Sequence, residues 1–128
     1  MPTRSPRVPG PDHPIAIEPS PERVTVTVGG RVVADSVRAL RLREADYPPV
    51  RYVPRADVDL PALRRTDTIT HCPYKGDASY WGVPDADGRV VDVAWSYEAP
   101  FPAVAAIAGH LAFYPDRVDA IALGEPEG

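Results

Sequence analysis

The sequence contains little cysteine and little lysine. Of its 128 residues only Cys72 is a cysteine and only Lys75 is a lysine, so every other basic residue is an arginine. A single cysteine excludes an intramolecular disulfide and favours a cytoplasmic location. It also excludes a zinc site built from two cysteine pairs. Because the only histidines are His13, His71 and His110, we expect no metal and no other cofactor.

An excess of positive charge and long apolar runs are also absent. The net charge is −4 and the isoelectric point is about 5.3, which argues against a nucleic-acid-binding surface. No stretch is long and apolar enough to cross a bilayer, and residues 1–21 lack the apolar segment of a secretory signal. We therefore expect neither nucleic acid nor membrane among the partners.

Proline, in contrast, is abundant, with 17 residues. This number argues against long helices and favours short strands and turns. Seven of the prolines lie within residues 1–21, which predicts an arm at residues 1–22 without regular structure, pinned at most by Ile15 and Ile17. The arm could also cross to a second copy in a homodimer. We expect the ordered domain at residues 23–123, followed by a tail at residues 124–128.

Alternating apolar residues predict strands in the rest of the chain. Residues 24–28 alternate with a period of two, Gly29 and Gly30 supply a turn, and residues 31–34 form the second strand of a hairpin. Similar patterns recur, which gives roughly nine short strands and two helical turns. Such a count implies antiparallel sheets closed into a barrel-like or sandwich body.

Several motifs together resemble those of the DUF427 family, small bacterial and fungal proteins that are sometimes labelled nucleotidyltransferase-like. The most specific is Cys-Pro-Tyr-Lys-Gly at residues 72–76, followed by Trp-Ser-Tyr at residues 95–97. Further matching pieces lie at residues 31–36, 52–58 and 107–114 and at Glu44. The matching motifs are spread over almost the whole expected domain.

The resemblance implies a mainly β fold. It would be a small antiparallel domain of two sheets that meet at an angle, the β-tent or Mss4-like architecture, with one or two short helical turns. Proteins of that architecture hold zinc on four cysteines, which this chain lacks. The resemblance implies no settled activity.

Lys75 and Cys72 are the first candidates for a chemical role. A lysine kept where every other basic residue is arginine suggests a position that needs a compact amine able to lose its proton. Burial among aromatic residues would make Lys75 a proton donor or a Schiff-base nucleophile. Cys72 could be a thiolate nucleophile beside this cation or a small buried residue. Lys75 could instead form a structural pair with Glu44 or Asp57.

Glu44, Arg55 and Asp57 are expected at strand ends beside proline, where side chains often converge on the mouth of a cleft. Two carboxylates and an arginine could perform general acid–base chemistry or bind an anionic substrate. They could equally form an ion-pair network that joins the ends of the sheets. Asp57 with Asp59 could alternatively bind Mg²⁺, as in a nucleotidyltransferase, or cap the following helical turn.

Aromatic residues are expected to line the pocket. Trp95 and Tyr97 lie two positions apart on a strand and should therefore face the same side of the sheet. With Tyr80 and Trp81 they would form a flat wall, although core packing is the usual role of such residues. The expected substrate-binding residues are Tyr52, Cys72, Tyr74, Tyr80, Trp95 and Tyr97.

We therefore expect an enzyme that performs acid–base chemistry on a small, carbonyl-type molecule, as a lyase, cyclase, isomerase or hydrolase. Lys75 would be the acid or the electrostatic stabiliser, Glu44 or Asp57 the base, and Arg55 would lie beside them. Two alternatives stay open. One is a non-catalytic module that binds a small ligand in the same pocket, and the other is a Mg-dependent nucleotidyltransferase.

Overall fold

The computed structural model describes residues 8–124, which form ten strands and three 3₁₀ turns. The strands are β1 (Ile15–Pro19), β2 (Arg23–Val28), β3 (Arg31–Ser36), β4 (Leu40–Glu44), β5 (Val50–Tyr52), β6 (Arg64–Cys72), β7 (Gly76–Pro84), β8 (Val90–Ser96), β9 (Leu111–Phe113) and β10 (Ala120–Gly124). The turns are Arg55–Asp57, Leu60–Ala62 and Pro102–Ile107. None of these helical turns has the length or the apolar character needed to cross a membrane.

The strands form three antiparallel sheets, with the orders β1-β4-β5, β10-β2-β3 and β6-β7-β8-β9. Two sheets are joined by a bridge in which the Val53 amide donates to the Leu111 carbonyl at 2.7 Å and the Leu111 amide donates back at 2.8 Å. The prediction of a mainly β, antiparallel domain with short helical turns is therefore confirmed. The sheets number three rather than two, and none of those between residues 8 and 124 closes into a barrel.

The start of the ordered chain differs from the expectation of an irregular arm at residues 1–22. Ile15–Pro19 forms β1, which pairs with β4 so that Ile15 lies opposite Glu44. Ile15 and Ile17 pack their side chains against the core, and β1 is an edge strand, where proline is tolerated. Residues 1–7 of the expected arm and residues 125–128 of the expected tail lie outside the described residues.

The buried apolar side chains of the domain form two hydrophobic cores. The first core consists of Val24, Val26, Val33, Ala34, Ala39, Val53, Val58, Leu63, Trp81, Val93, Ala94, Leu111 and Phe113. The second core consists of Leu42, Tyr52, Ala78, Tyr80, Tyr97, Val104, Ile107 and Ala112. Tyr80 and Trp81 are neighbours on β7, where successive side chains point to opposite faces, so they belong to different cores. The second core therefore collects most of the aromatic residues expected in a site.

β7 and β8 pack so closely at Gly82 that no side chain fits there. The register of the two strands shifts between Trp81 and Gly82, and a Cβ atom at Gly82 would overlap the carbonyl group of Val91, 2.9 Å from its carbon. We expect Gly82→Ala to lower the free energy of unfolding by about 1–3 kcal/mol, because the backbone must move to admit the methyl group. Urea unfolding followed by circular dichroism measures this change.

The matched control is Gly10→Ala, since no atom lies within 4 Å of a Cβ built at Gly10. That variant should unfold like the wild type. Equal stability of the Gly82→Ala protein and the wild type would contradict the close packing of β7 on β8.

Candidate functional site

The Cys-Pro-Tyr-Lys-Gly motif forms the turn between β6 and β7. Cys72 pairs with Gly76, and the Lys75 amide donates to the Cys72 carbonyl at 3.3 Å. Gly76 has a φ of +111°, which an L side chain rarely adopts, so glycine fits this position best. The Lys75 carbonyl accepts a hydrogen bond from the Phe101 amide at 3.0 Å. The backbone at Lys75 is therefore held both by its own turn and by a neighbouring loop.

The Lys75 side chain forms an ion pair with Glu44, the last residue of β4. Lys75 Nζ lies 2.5 Å from Glu44 Oε1, and each side chain is only 13% exposed. Nζ also lies 5.6 Å from the centre of the Tyr97 ring, within the range of a cation–π contact. Lys75 therefore points towards the second core rather than into solvent.

His13 completes this cluster from the segment before β1. Its Nε2 lies 2.7 Å from Glu44 Oε2, and its ring stacks on Tyr74 with centroids 3.9 Å apart and planes 7° apart. His13, Glu44 and Lys75 are called the Glu44 cluster below. In the sequence His13 entered only the argument against a zinc site, and it was not among the expected site residues. The signal that could have placed it is the Ile15 and Ile17 alternation, because a strand there paired with β4 brings His13 beside Glu44.

The pKa of Glu44 is lowered from its ordinary value. Burial raises this pKa, but the hydrogen bonds from Lys75 and His13 and their charges outweigh that effect. Glu44 is therefore an anion at neutral pH and a weak base, so the structure favours it as the group that orients its two donors. Because a carboxylate only accepts hydrogen bonds, His13 carries its proton on Nε2. His13 Nδ1 has no hydrogen-bond partner within residues 8–124.

Three tyrosines of the second core lie around the cluster. Tyr52 accepts a hydrogen bond from Trp95 Nε1 at 3.2 Å, and the Tyr80 hydroxyl lies 2.9 Å from the Thr70 hydroxyl. Tyr97 is 7% exposed, and its hydroxyl has no hydrogen-bond partner in the part of the chain that the structure describes. Burial strongly raises the pKa of both Tyr52 and Tyr97, so each stays a neutral phenol at physiological pH.

Trp95, Tyr114 and Cys72 form the half-buried rim of the second core. Tyr114 lies against Trp95 with ring centroids 4.6 Å apart, and burial, helped by the nearby Tyr80 hydroxyl, raises the pKa of Tyr114 to about 12. Tyr114 was not among the expected site residues, since its single position after β9 carries no periodic signal. The Cys72 thiol is free and has no hydrogen-bond partner between residues 8 and 124, so no base is in place to activate it.

Arg55 and Asp57 have other partners than the Glu44 cluster. Asp57 accepts hydrogen bonds from Ser36 at 2.6 Å and Arg38 at 2.8 Å, and the bond from Arg38 is the main reason that the pKa of Asp57 is lowered. Arg55 lies 3.7 Å from Glu98. Both residues sit on a 3₁₀ turn that packs beside β3, and neither contacts Lys75 or Glu44 among the interactions of residues 8–124. The four expected catalytic residues therefore divide into one pair that meets and two residues held elsewhere.

Trp81 also lies apart from the expected aromatic wall. It belongs to the first core, and the guanidinium groups of Arg65 and Arg55 lie 5.1 and 5.8 Å from its ring centre. The reason is the alternation along β7, which sends Tyr80 to the opposite face.

The two carboxylates proposed for Mg²⁺, Asp57 and Asp59, bind different side chains. Asp59 binds Arg31 at 2.6 Å and makes no side-chain cap to the Leu60–Ala62 turn, while Asp57 binds Ser36 and Arg38. Among residues 8–124 no three His, Cys, Asp or Glu side chains are grouped so that they could hold a metal ion.

An open cleft of about 330 Å³ adjoins the outer side of the Glu44 cluster. Its walls include His13, Tyr74 and the segment from Val8 to Asp12. A small molecule in this cleft would contact His13, whose Nε2 is bonded to Glu44.

The fold and the site define a small antiparallel β domain with a buried lysine–glutamate–histidine cluster. A family model described as a domain of unknown function, DUF427, matches residues 16–124. Because this match covers most of the chain, the protein belongs to the DUF427 family, and the resemblance seen in its motifs is confirmed. No curated protein matches the chain.

The lowered pKa of Glu44 predicts a specific dependence of stability on pH. The pKa in the folded state lies below the unfolded value of about 4.3, so the stabilisation is present above about pH 4.3 and is lost as the pH falls through the lower folded value. At neutral pH we expect Glu44→Gln to lower the free energy of unfolding by about 2–4 kcal/mol. Breaking a fully buried ion pair costs about 3–5 kcal/mol, and this pair keeps some contact with water.

Urea unfolding at a series of pH values measures both effects. The difference between wild type and Glu44→Gln should shrink as the pH falls below about 4.3, the unfolded-state pKa. Asp116→Asn, at an exposed position, serves as the control and should leave the pH profile unchanged. A constant difference between wild type and Glu44→Gln across this range would show that the carboxylate charge contributes nothing.

Proposed function

We propose that this protein is an enzyme that performs acid–base chemistry on a small carbonyl compound with its own side chains. The observation that carries the proposal is the Glu44 carboxylate, which binds Lys75 through one oxygen and His13 through the other. A buried carboxylate that orients an imidazole is the arrangement by which enzymes hold a histidine base in one tautomer. The expected site residues Lys75 and Glu44 take part, together with His13.

In this proposal His13 is the base, because Nδ1 has no hydrogen-bond partner within residues 8–124 and His13 lines the cleft. Glu44 holds the protonated Nε2 and favours positive charge on the ring once Nδ1 has taken a proton. Lys75 keeps Glu44 ionised and fixes its position. Tyr74 supplies the flat surface on which His13 stacks. The catalytic contact is therefore assigned to His13, with Glu44 and Lys75 as positioning residues.

The test needs an assay that does not require the natural substrate. A panel of small ketones, aldehydes and keto acids is incubated with the protein in D₂O, and exchange of the protons next to the carbonyl is followed by ¹H NMR. We expect the wild type to accelerate exchange for some members and His13→Gln to reduce that rate by about 10²–10⁴-fold, the usual contribution of a general base. Lys75→Met should reduce the rate as well, while circular dichroism shows a folded protein.

The matched control is His110→Gln, because His110 is half-buried like His13 but its ring bonds only to the Ala108 carbonyl within residues 8–124. Its exchange rate should equal that of the wild type. If His13→Gln exchanges the same compounds as fast as the wild type, His13 is not the base and the proposal fails.

A non-catalytic binding module is the second candidate, and the half-buried rim of Trp95 and Tyr114 favours it. Such a module would bind a flat molecule against these rings and exchange no protons of any panel member. Since Cys72 is a free thiol, we also propose that the protein works in the cytoplasm, where thiols stay reduced.

A further inference from the structure

A second cavity is lined in part by Trp95 and shares no lining residue with the cleft at His13. It has a volume of about 290 Å³ and lies between residues of β2, β5, β8, β9 and β10 and Val53, which follows β5; its lining includes Val26, Trp95, Phe113 and Ile121. This volume is just below the range of about 300–1,000 Å³ that is typical of small-molecule sites. An occupant would therefore have the size of a single substituted ring.

The walls of this cavity are apolar, apart from one charged side chain. Val26 and Val53 are buried at 1% and 0% exposure, so the depth of the cavity is formed by aliphatic core residues. Trp95 adds an apolar face, because its only N–H group is already bonded to the Tyr52 hydroxyl. Burial of an apolar ring against these walls is favourable. The cavity therefore selects a molecule that is mostly hydrocarbon.

Arg51 is the charged side chain in the wall, and it is incompletely paired. Its Nη2 donates to Glu22 Oε2 at 2.8 Å, and the side chain is 15% exposed. Arg51 Nε and Glu22 Oε1 are both buried without a hydrogen-bond partner within residues 8–124. Nε itself is closed off, but a guanidinium has five N–H donors and only Nη2 is bonded within residues 8–124, so this end of the cavity favours an occupant that brings a hydrogen-bond acceptor.

The charges of the Arg51–Glu22 ion pair determine which kind of hydrogen-bond acceptor the cavity favours. Arg51 and Glu22 neutralise each other, so a carboxylate would gain little attraction to the arginine and would meet the negative charge of Glu22. A carbonyl oxygen accepts a hydrogen bond without that repulsion. The pair therefore favours an uncharged acceptor over an anion.

We propose that this cavity is a binding site for a neutral, single-ring molecule with a carbonyl group directed at Arg51. The site is separate from the cleft at His13, so the proposal does not rest on the proposed catalytic function. Its occupant touches Trp95, which connects through Tyr52 to the second core.

Acetophenone, ethylbenzene and benzoate test the three features of the site. All three contain a phenyl ring. Acetophenone adds a carbonyl group, ethylbenzene adds no polar group, and benzoate adds a negative charge. Binding is measured from ¹H–¹⁵N NMR spectra, in which the indole signal of Trp95 should shift and that of Trp81 should stay. Acetophenone should bind about two- to tenfold more tightly than ethylbenzene, as expected for the net gain of one hydrogen bond, and benzoate should bind most weakly.

Variants separate the cavity from the rest of the surface. Ile121→Phe fills the cavity and should abolish the Trp95 shift, whereas Ala122→Phe, at the exposed neighbouring position of β10, should leave it unchanged. Leu123→Phe, at a lining residue that is 47% exposed, is a milder substitution that should weaken binding even if Ile121→Phe fails to fold. The paired change Glu22→Met with Arg51→Met removes both the charges and the N–H donors and should therefore remove the preference for acetophenone over ethylbenzene.

Each result decides part of the proposal. Saturable shifts of Trp95 that are lost in the β10 variants support the site, and the loss of preference in the double variant supports the role of Arg51. No saturable shift with any of the three probes overturns the site. Benzoate binding more tightly than acetophenone, or ethylbenzene matching it, overturns the neutral acceptor. None of these results depends on proton exchange at His13.

Discussion

The Glu44 carboxylate joins three parts of the chain that are distant in sequence. It ends β4, binds Lys75 of the turn between β6 and β7, and binds His13 of the segment before β1. With both side chains of the ion pair 13% exposed, the charges are poorly solvated and depend on one another. This mutual dependence sets the geometry of the site: it keeps Glu44 ionised, fixes Lys75 and leaves one nitrogen of His13 without a partner in the part of the chain that the structure describes.

The same burial that creates this cluster keeps its surroundings neutral. Tyr52 and Tyr97 have raised pKa values because they are buried, so the cluster carries its charges next to phenols that do not ionise. Trp95 then separates these phenols from the apolar cavity at Arg51. The domain thus offers a cleft at His13 and a separate apolar cavity at Trp95.

Much of the fold followed from local patterns. The period-two alternation from Arg23 onward and the glycine turns predicted most strands, because a half-buried strand needs such alternation. The meeting of Lys75 with Glu44 was also among the expectations, since a unique lysine in a turn and an acid at a strand end are visible in the chain itself. His13 was overlooked and Arg55 and Asp57 were grouped with Lys75, because the partners of these residues depend on which strands pair.

The sequence by itself determined the class of the fold, the Cys-Pro-Tyr-Lys-Gly turn and the family, because each rests on residues close together in the chain. The tertiary structure decided which charged side chains meet. The pairing of β1 with β4 brought His13 to Glu44, and alternation along β7 sent Tyr80 and Trp81 to different cores. Such contacts depend on the order of the strands in each sheet and on the face of the sheet that each side chain occupies. Both bring together residues that are far apart in the chain, so no local sequence pattern reveals them.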